Sequence, residues 1–145
     1  MLCDAHNHLQ DDWLAPQLDA VAAECTRLHI GAMVVNGTAE ADWPRVAKLA
    51  VRCAFVRPSY GLHPWDATGR SPQWLETLRA RLVAEPRAAV GEIGIDRWIL
   101  ESAPAGYFPA GSPPPAPLAE QIACFLPQLA LAVELDRAAS IHCLQ

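Results

Sequence analysis

A chain of 145 residues, 52% hydrophobic and 19% charged, has the size and composition of one globular unit, which excludes a disordered or fibrous chain. Its formal net charge of −5 excludes a global basic field that would draw in nucleic acid, so phosphate chemistry must rest on metal ions or a local patch. The five cysteines (Cys3, Cys25, Cys53, Cys124, Cys143) are odd in number and form no CxxC pair. They read as mostly buried, reduced thiols, which suits a cytoplasmic location. No basic stretch followed by an apolar run opens the chain, so no secretory leader is expected, and no stretch approaches the ~20 apolar residues of a membrane span.

Five short apolar, β-rich runs alternate with helical patterns. The first, near residues 2–6, carries Asp4, His6 and His8. Histidines at i and i+2 of an extended segment share one face, the geometry by which two imidazoles reach one metal ion. Asp4 lies on the same face, where a carboxylate can orient an imidazole. A lone HxH is a weak motif, since such a pair can equally be solvated loop residues. A helix is expected near 14–28, followed by His29, which has no visible partner, and a strand near 30–36.

After a helix near 39–52 comes a strand near 55–61, then His63 in Gly61-Leu62-His63-Pro64-Trp65. His63 either stands at the mouth of a site and touches phosphate or is simply fixed by the turn at Pro64. Trp65 either stacks a base or packs. A helix near 72–85 leads to a strand near 88–93 and to Gly91-Glu92-Ile93-Gly94-Ile95-Asp96. Here the glycines permit close backbone approach, and the carboxylate can bridge two cations.

Residues 102–117 hold six prolines (104, 109, 113, 114, 115, 117) with Gly106 and Gly111, a composition that forms neither helix nor interior strand. This exposed loop is either a plain insertion or a substrate-shaping lid anchored by Tyr107 and Phe108. Leu118, Ile122, Phe125, Leu126, Leu129, Ala132 and Val133 then trace one face of a helix near 118–136, read as the core-facing stripe, with a kink or delayed start at Pro127. A last strand near 138–142 ends on His142, and alternation turns Cys143 to the opposite side.

Strand–helix alternation implies a parallel sheet covered by helices, with ligands at the C-terminal ends of the strands. Singly, Glu92 could be a helix cap and His142 a satisfied core histidine. Four candidate ligands at the ends of three strands are harder to assign that way.

Asp4-Ala5-His6-Asn7-His8, Gly61-Leu62-His63-Pro64, Gly91-Glu92-Ile93-Gly94-Ile95-Asp96 and Ile141-His142 resemble, in that order, the motifs of the TatD-like metal-dependent hydrolases. The resemblance covers nearly the whole chain, and Gln121 with the helix after it also looks like the family's. It implies an α/β fold of the (β/α) TIM-barrel type in the amidohydrolase superfamily, with two divalent ions (Zn, Mn or Mg) and phosphodiester hydrolysis of DNA. By it, His6 and His8 hold the first metal, Glu92 bridges both as the catalytic carboxylate, and His142 holds the second. His63 is carried as a substrate contact.

The family's later histidine and aspartate have no counterpart here. An eight-stranded barrel takes ~250 residues. Residues 1–145 are therefore expected to form the N-terminal part of one barrel domain, about five of eight strands, with the 102–117 loop as an insertion. Two other readings stand beside DNA hydrolysis. One is an inactive, metal-binding half-barrel that self-associates or takes a C-terminal complement through its open edge. The other is a hydrolase of a non-nucleic-acid substrate on the same scaffold.

Overall fold

The structure, a computed structural model, describes residues 2–108 and 111–144; Pro109 of the Pro-rich stretch and the first and last residues of the expected domain lie outside the described residues. Five strands, β1 (Leu2–Asn7), β2 (Ile30–Asn36), β3 (Val56–Tyr60), β4 (Ala89–Asp96) and β5 (Ala139–Leu144), form one sheet in the order β1-β2-β3-β4-β5. Every neighbouring pair is parallel. The crossovers carry helices α1 (Leu18–Arg27), α2 (Trp43–Arg52) and α3 (Trp74–Ala84), then the single turn α4 (Trp98–Glu101) and α5 (Leu118–Glu134). This is the expected partial (β/α) barrel.

Burial follows from that architecture. Val35, Val90 and Ile93 of the sheet meet Trp43 and Val46 of α2 and Leu78 and Leu82 of α3, all fully buried in one core. Trp43 also donates its indole N–H to Gly61 O at 2.8 Å, fixing the turn that carries His63. Cys25, Cys53 and Cys124 lie buried as free thiols, whereas Cys3 and Cys143 are exposed.

Several elements differ from the sequence expectation, each for a local reason. The helix expected from residue 14 begins as a 3-10 turn over Asp12–Gln17, which contains Pro16, and becomes α-helical only at Leu18. The helix expected from residue 39 starts at Trp43, because the Asp42 carboxylate accepts the N–H groups of Thr38 and Ala39 and holds 38–42 in a turn. Pro44 then occupies the first turn, where no N–H is needed. At Pro127 neither break nor delay occurs: α5 is continuous from Leu118 to Glu134. The short α4 had no counterpart in the sequence reading.

The largest correction concerns the orientation of α5. The stripe expected to face the core is mostly turned outward: Leu118, Ile122, Leu126 and Val133 are exposed, Val133 by 77%. Gln121, Cys124, Gln128, Leu131 and Ala132 face inward instead. Apolar residues nearly encircle this helix, so periodicity alone did not select a face. The selection comes from hydrogen bonding. Gln128 accepts from Leu62 N (2.7 Å) and donates to Leu62 O (3.1 Å), while Gln121 accepts from Asp96 N (2.8 Å) and donates to Asp96 O (3.1 Å) and Ala116 O (3.0 Å). Two fully buried amides thereby pin the backbone beside His63 and at the end of β4.

Strand β4 runs to Asp96, further than the expected 88–93, so Glu92 lies in its middle. Gly94 makes this possible: its φ is +149°, and a Cβ there would stand 1.9 Å from His142 O. Its pairing with His142 (Gly94↔His142) brings β4 and β5 close enough for their side chains to meet. His142 likewise sits inside β5, two residues before its end.

Candidate metal centre

Glu92 is the hub of the site. On one side, its Oε2 lies 3.2 Å from His6 Nε2 on β1 and 3.3 Å from His8 Nε2, one residue beyond that strand. On the other, its Oε1 lies 3.0 Å from His142 Nδ1 on β5 and 3.7 Å from His63 Nε2. Two groups of potential ligand atoms, His6–His8–Glu92 and His63–Glu92–His142, each fall within 4.8 Å and share the one carboxylate. The candidate site residues His6, His8, His63, Glu92 and His142 therefore meet in one place.

Burial alone would push the Glu92 carboxyl upward, but hydrogen bonds from His142 and His8, with His63 and His6 nearby, outweigh it and hold the group well below the usual carboxylate range. His8 and His142 are shifted up, each chiefly by its hydrogen bond to Glu92. Glu92 and the His8 and His142 rings thus stabilise one another's charged forms.

Tautomers divide the histidines by role. His8 Nδ1 donates to Asn36 O at 2.9 Å, so the neutral ring presents a free lone pair at Nε2 toward Glu92. His6 Nδ1 meets Ser140 Oγ at 2.9 Å and also turns Nε2 inward. The two Nε2 atoms are only 3.3 Å apart, a spacing that needs a shared proton or a cation between the lone pairs. His142 places Nε2 3.0 Å from Asp96 Oδ2, so a carboxylate backs the ring whose Nδ1 faces Glu92.

His63 behaves differently. Its Nδ1 accepts the N–H of Trp65 at 3.2 Å, so the neutral ring carries its proton on Nε2, pointed at Glu92. That makes it a hydrogen-bond donor at the cleft more naturally than a metal ligand, although its position fits the second group. Burial pushes the ring down to about 4, so it stays neutral at physiological pH.

Three supporting residues were not recognised from sequence. Ser140 backs His6, a part expected of Asp4. The Asp4 carboxylate instead accepts His6 N–H (3.0 Å) and the Asn7 amide (3.0 Å), closing the end of β1 without touching an imidazole ring. Asp96, fully buried, accepts from the Trp65 indole at 2.6 Å and from Ile99 N at 2.9 Å besides meeting His142. Asp66 lines the same cleft, and burial raises its carboxyl to about 6. The GEIGID motif held a signal for Asp96, since alternation puts it on the face of Glu92; Ser140 gave none. The cleft has a volume of about 350 Å³ and is lined by the four histidines with Asp11, Thr38, Trp65, Asp66 and Glu92.

The family of TatD related DNases matches residues 3–145, almost the whole chain. The chain belongs to that family. Among relatives, the 3'-5' ssDNA/RNA exonuclease TatD of Klebsiella pneumoniae (strain 342) is 29% identical over 126 residues, 86% of this chain and 42% of the relative. The enzyme of that name from Enterobacter lignolyticus (strain SCF1) is 29% identical over 125 residues, 86% of this chain and 43% of its own. The chain therefore spans less than half the length of the curated relatives it matches. In fold it is similar to the crystal structure of YJJV, the TatD homolog of Escherichia coli K12, with a TM-score of 0.81 and 24% identity over 99% of this chain and 51% of that one. Among the described residues no helix is long and apolar enough to cross a membrane.

Proposed function

We propose that this chain is the N-terminal part, residues 1–145, of a two-metal phosphodiesterase barrel that hydrolyses DNA, with the 102–117 loop as an insertion. The observation that carries this reading is the convergence of three imidazole nitrogens on both oxygens of Glu92. Nitrogen- and carboxylate-rich donors of this kind fit Zn²⁺ or Mn²⁺, and Mg²⁺ less well.

In this reading His6 and His8 would hold one ion and His142 the other, with the Glu92 carboxylate available to both. Bound divalent ions would supply neutralisation of phosphate charge and a lowered water pKa. The protein's own residues supply orientation. Asn36 O and Ser140 hold the His8 and His6 rings, Asp96 holds the His142 ring, and the Nε2–H of His63 offers a neutral donor to a phosphoryl oxygen. The free thiols support a cytoplasmic location.

A second reading, a half-barrel that associates with a copy of itself or with a C-terminal complement, is favoured by the exposed apolar face of α5. Among the described residues β1 and β5 also each pair on one side only. Metal counting on the purified chain, together with release of nucleotides from single-stranded DNA in Mn²⁺ or Mg²⁺, separates these readings. Two ions per chain and nucleotide release support the nuclease; one ion or none, with a dimer on sedimentation, supports the half-barrel. Two ions without nucleotide release favour a different ester or amide substrate.

A further inference from the structure

The cleft around Glu92 has no lysine or arginine among the described residues that line it, and the chain is acidic overall. A strand held there gains little from ionic contacts with this chain beyond whatever the metals neutralise. Affinity must then come from elsewhere, and one wall of the cleft offers it.

Trp65 lines the cleft, and its ring is fixed because the indole N–H is held by Asp96 at 2.6 Å. Tyr107 and Phe108, from the Pro-rich loop, meet that ring edge to face at centroid distances of 5.7 and 5.5 Å, and Trp98 extends the cluster through Tyr107 at 5.1 Å. A local turn shapes the loop before these rings, and contacts to the body of the protein hold it after them. Tyr107 N donates to Pro104 O (3.1 Å), Thr68 Oγ1 to Pro114 O (3.2 Å), and Ala116 is fully buried. Yet Tyr107 is 46% exposed, so the cluster is held in place without being sealed. Behind it, Tyr107 and Phe108 line a second hollow of about 290 Å³ with Ile99, Ala103 and loop prolines.

We propose that Trp65, Tyr107 and Phe108 form a stacking wall for one unpaired base of a nucleic-acid strand whose phosphate lies at Glu92. The proposal rests on the nuclease reading and adds to it a subsite built largely by this chain's own loop insertion. The chemistry favours a base over a further phosphate, since the wall offers aromatic rings and prolines without a cationic side chain. It favours an unpaired base because a base within a duplex already has both faces covered. Prolines in the loop reduce the ordering cost of binding, as pre-organisation requires.

The test is binding of short single strands with phosphorothioate linkages, in Mn²⁺, with an abasic site moved along the strand. One position should weaken binding by about 5- to 150-fold, the range for loss of one aromatic–base stack. That sensitivity should vanish in the Tyr107→Ala, Phe108→Ala double variant and persist in Tyr107→Phe, with circular dichroism confirming that both fold. Equal binding of intact and abasic strands at every position, or a double variant that keeps the abasic penalty, overturns the stacking wall and leaves the nuclease reading standing. Failure of the chain to bind any strand, intact or abasic, overturns both.

Discussion

His6 and Ser140, 134 residues apart in sequence, meet across the sheet: His6 Nδ1 lies 2.9 Å from Ser140 Oγ and links the first strand to the last. The contact fixes the plane of a ring whose other nitrogen faces Glu92. Ser140→Ala removes the partner without enlarging the side chain. Its Mn²⁺ or Zn²⁺ affinity, measured by calorimetry, is expected to fall about 10- to 100-fold, as is usual when a residue orienting a ligand is lost. Ser140→Thr, which keeps the hydroxyl, should restore most of it.

Glu92→Ala deletes both oxygens between the two groups of imidazoles. At least one equivalent of metal per chain should be lost, read by mass spectrometry of the desalted protein. Unchanged stoichiometry removes Glu92 from the centre. Glu92→Gln keeps the shape but not the charge, and is expected to sit between the two.

His63 gives the metal-free protein a defined pH response. Its ring is depressed to about 4 when folded, against an ordinary value of 6.5, so the unfolded chain binds the proton first as pH falls. The stability held by the neutral ring is fully present above pH 6.5 and is lost between 6.5 and 4, by about 3 kcal/mol at 1.36 kcal/mol per unit. Asp66, raised to about 6 from an ordinary 3.8, acts in the opposite sense below pH 6 and offsets most of that loss. Urea titrations of chelator-treated wild type and His63→Gln should therefore diverge as pH falls from 6.5 to 4, the variant losing less stability or gaining some, and parallel curves would remove His63 as a source.

Gln121→Leu keeps volume but leaves Asp96 N, Asp96 O and Ala116 O without their partner. Buried groups left in this way cost about 1–3 kcal/mol each, less where water or relaxation intervenes. We expect a loss of about 2–4 kcal/mol in urea denaturation, together with weaker metal binding through the displaced Asp96. A stable variant with normal metal affinity would show that the amide is replaceable.

Much of this was legible in the sequence because its determinants are local. Strand and helix order followed from apolar periodicity, and His6, His8, Glu92 and His142 were singled out from motifs in or beside the expected strands. What escaped depends on tertiary partners. The orientation of α5 was misread because hydrophobic side chains cover most of its circumference, and the deciding residues, Gln121 and Gln128, are polar. Asp4 was given the part that Ser140 plays, since sequence proximity suggested a partner that the strand geometry directs elsewhere. His63 could not be assigned until its Nδ1 was seen to accept the Trp65 N–H, which fixes where the proton sits.

The two halves of the centre sit at different depths. The side chains of His6 and His8 are 40% and 33% exposed, whereas those of His63 and His142 are 7% and 18% exposed. On the proposed two-metal reading, ion traffic should be unequal: a chelator would strip the shallow position quickly and the deep one slowly, giving two kinetic phases. The fast phase alone should disappear when His6 is replaced, making occupancy of the outer position the adjustable quantity at limiting metal supply.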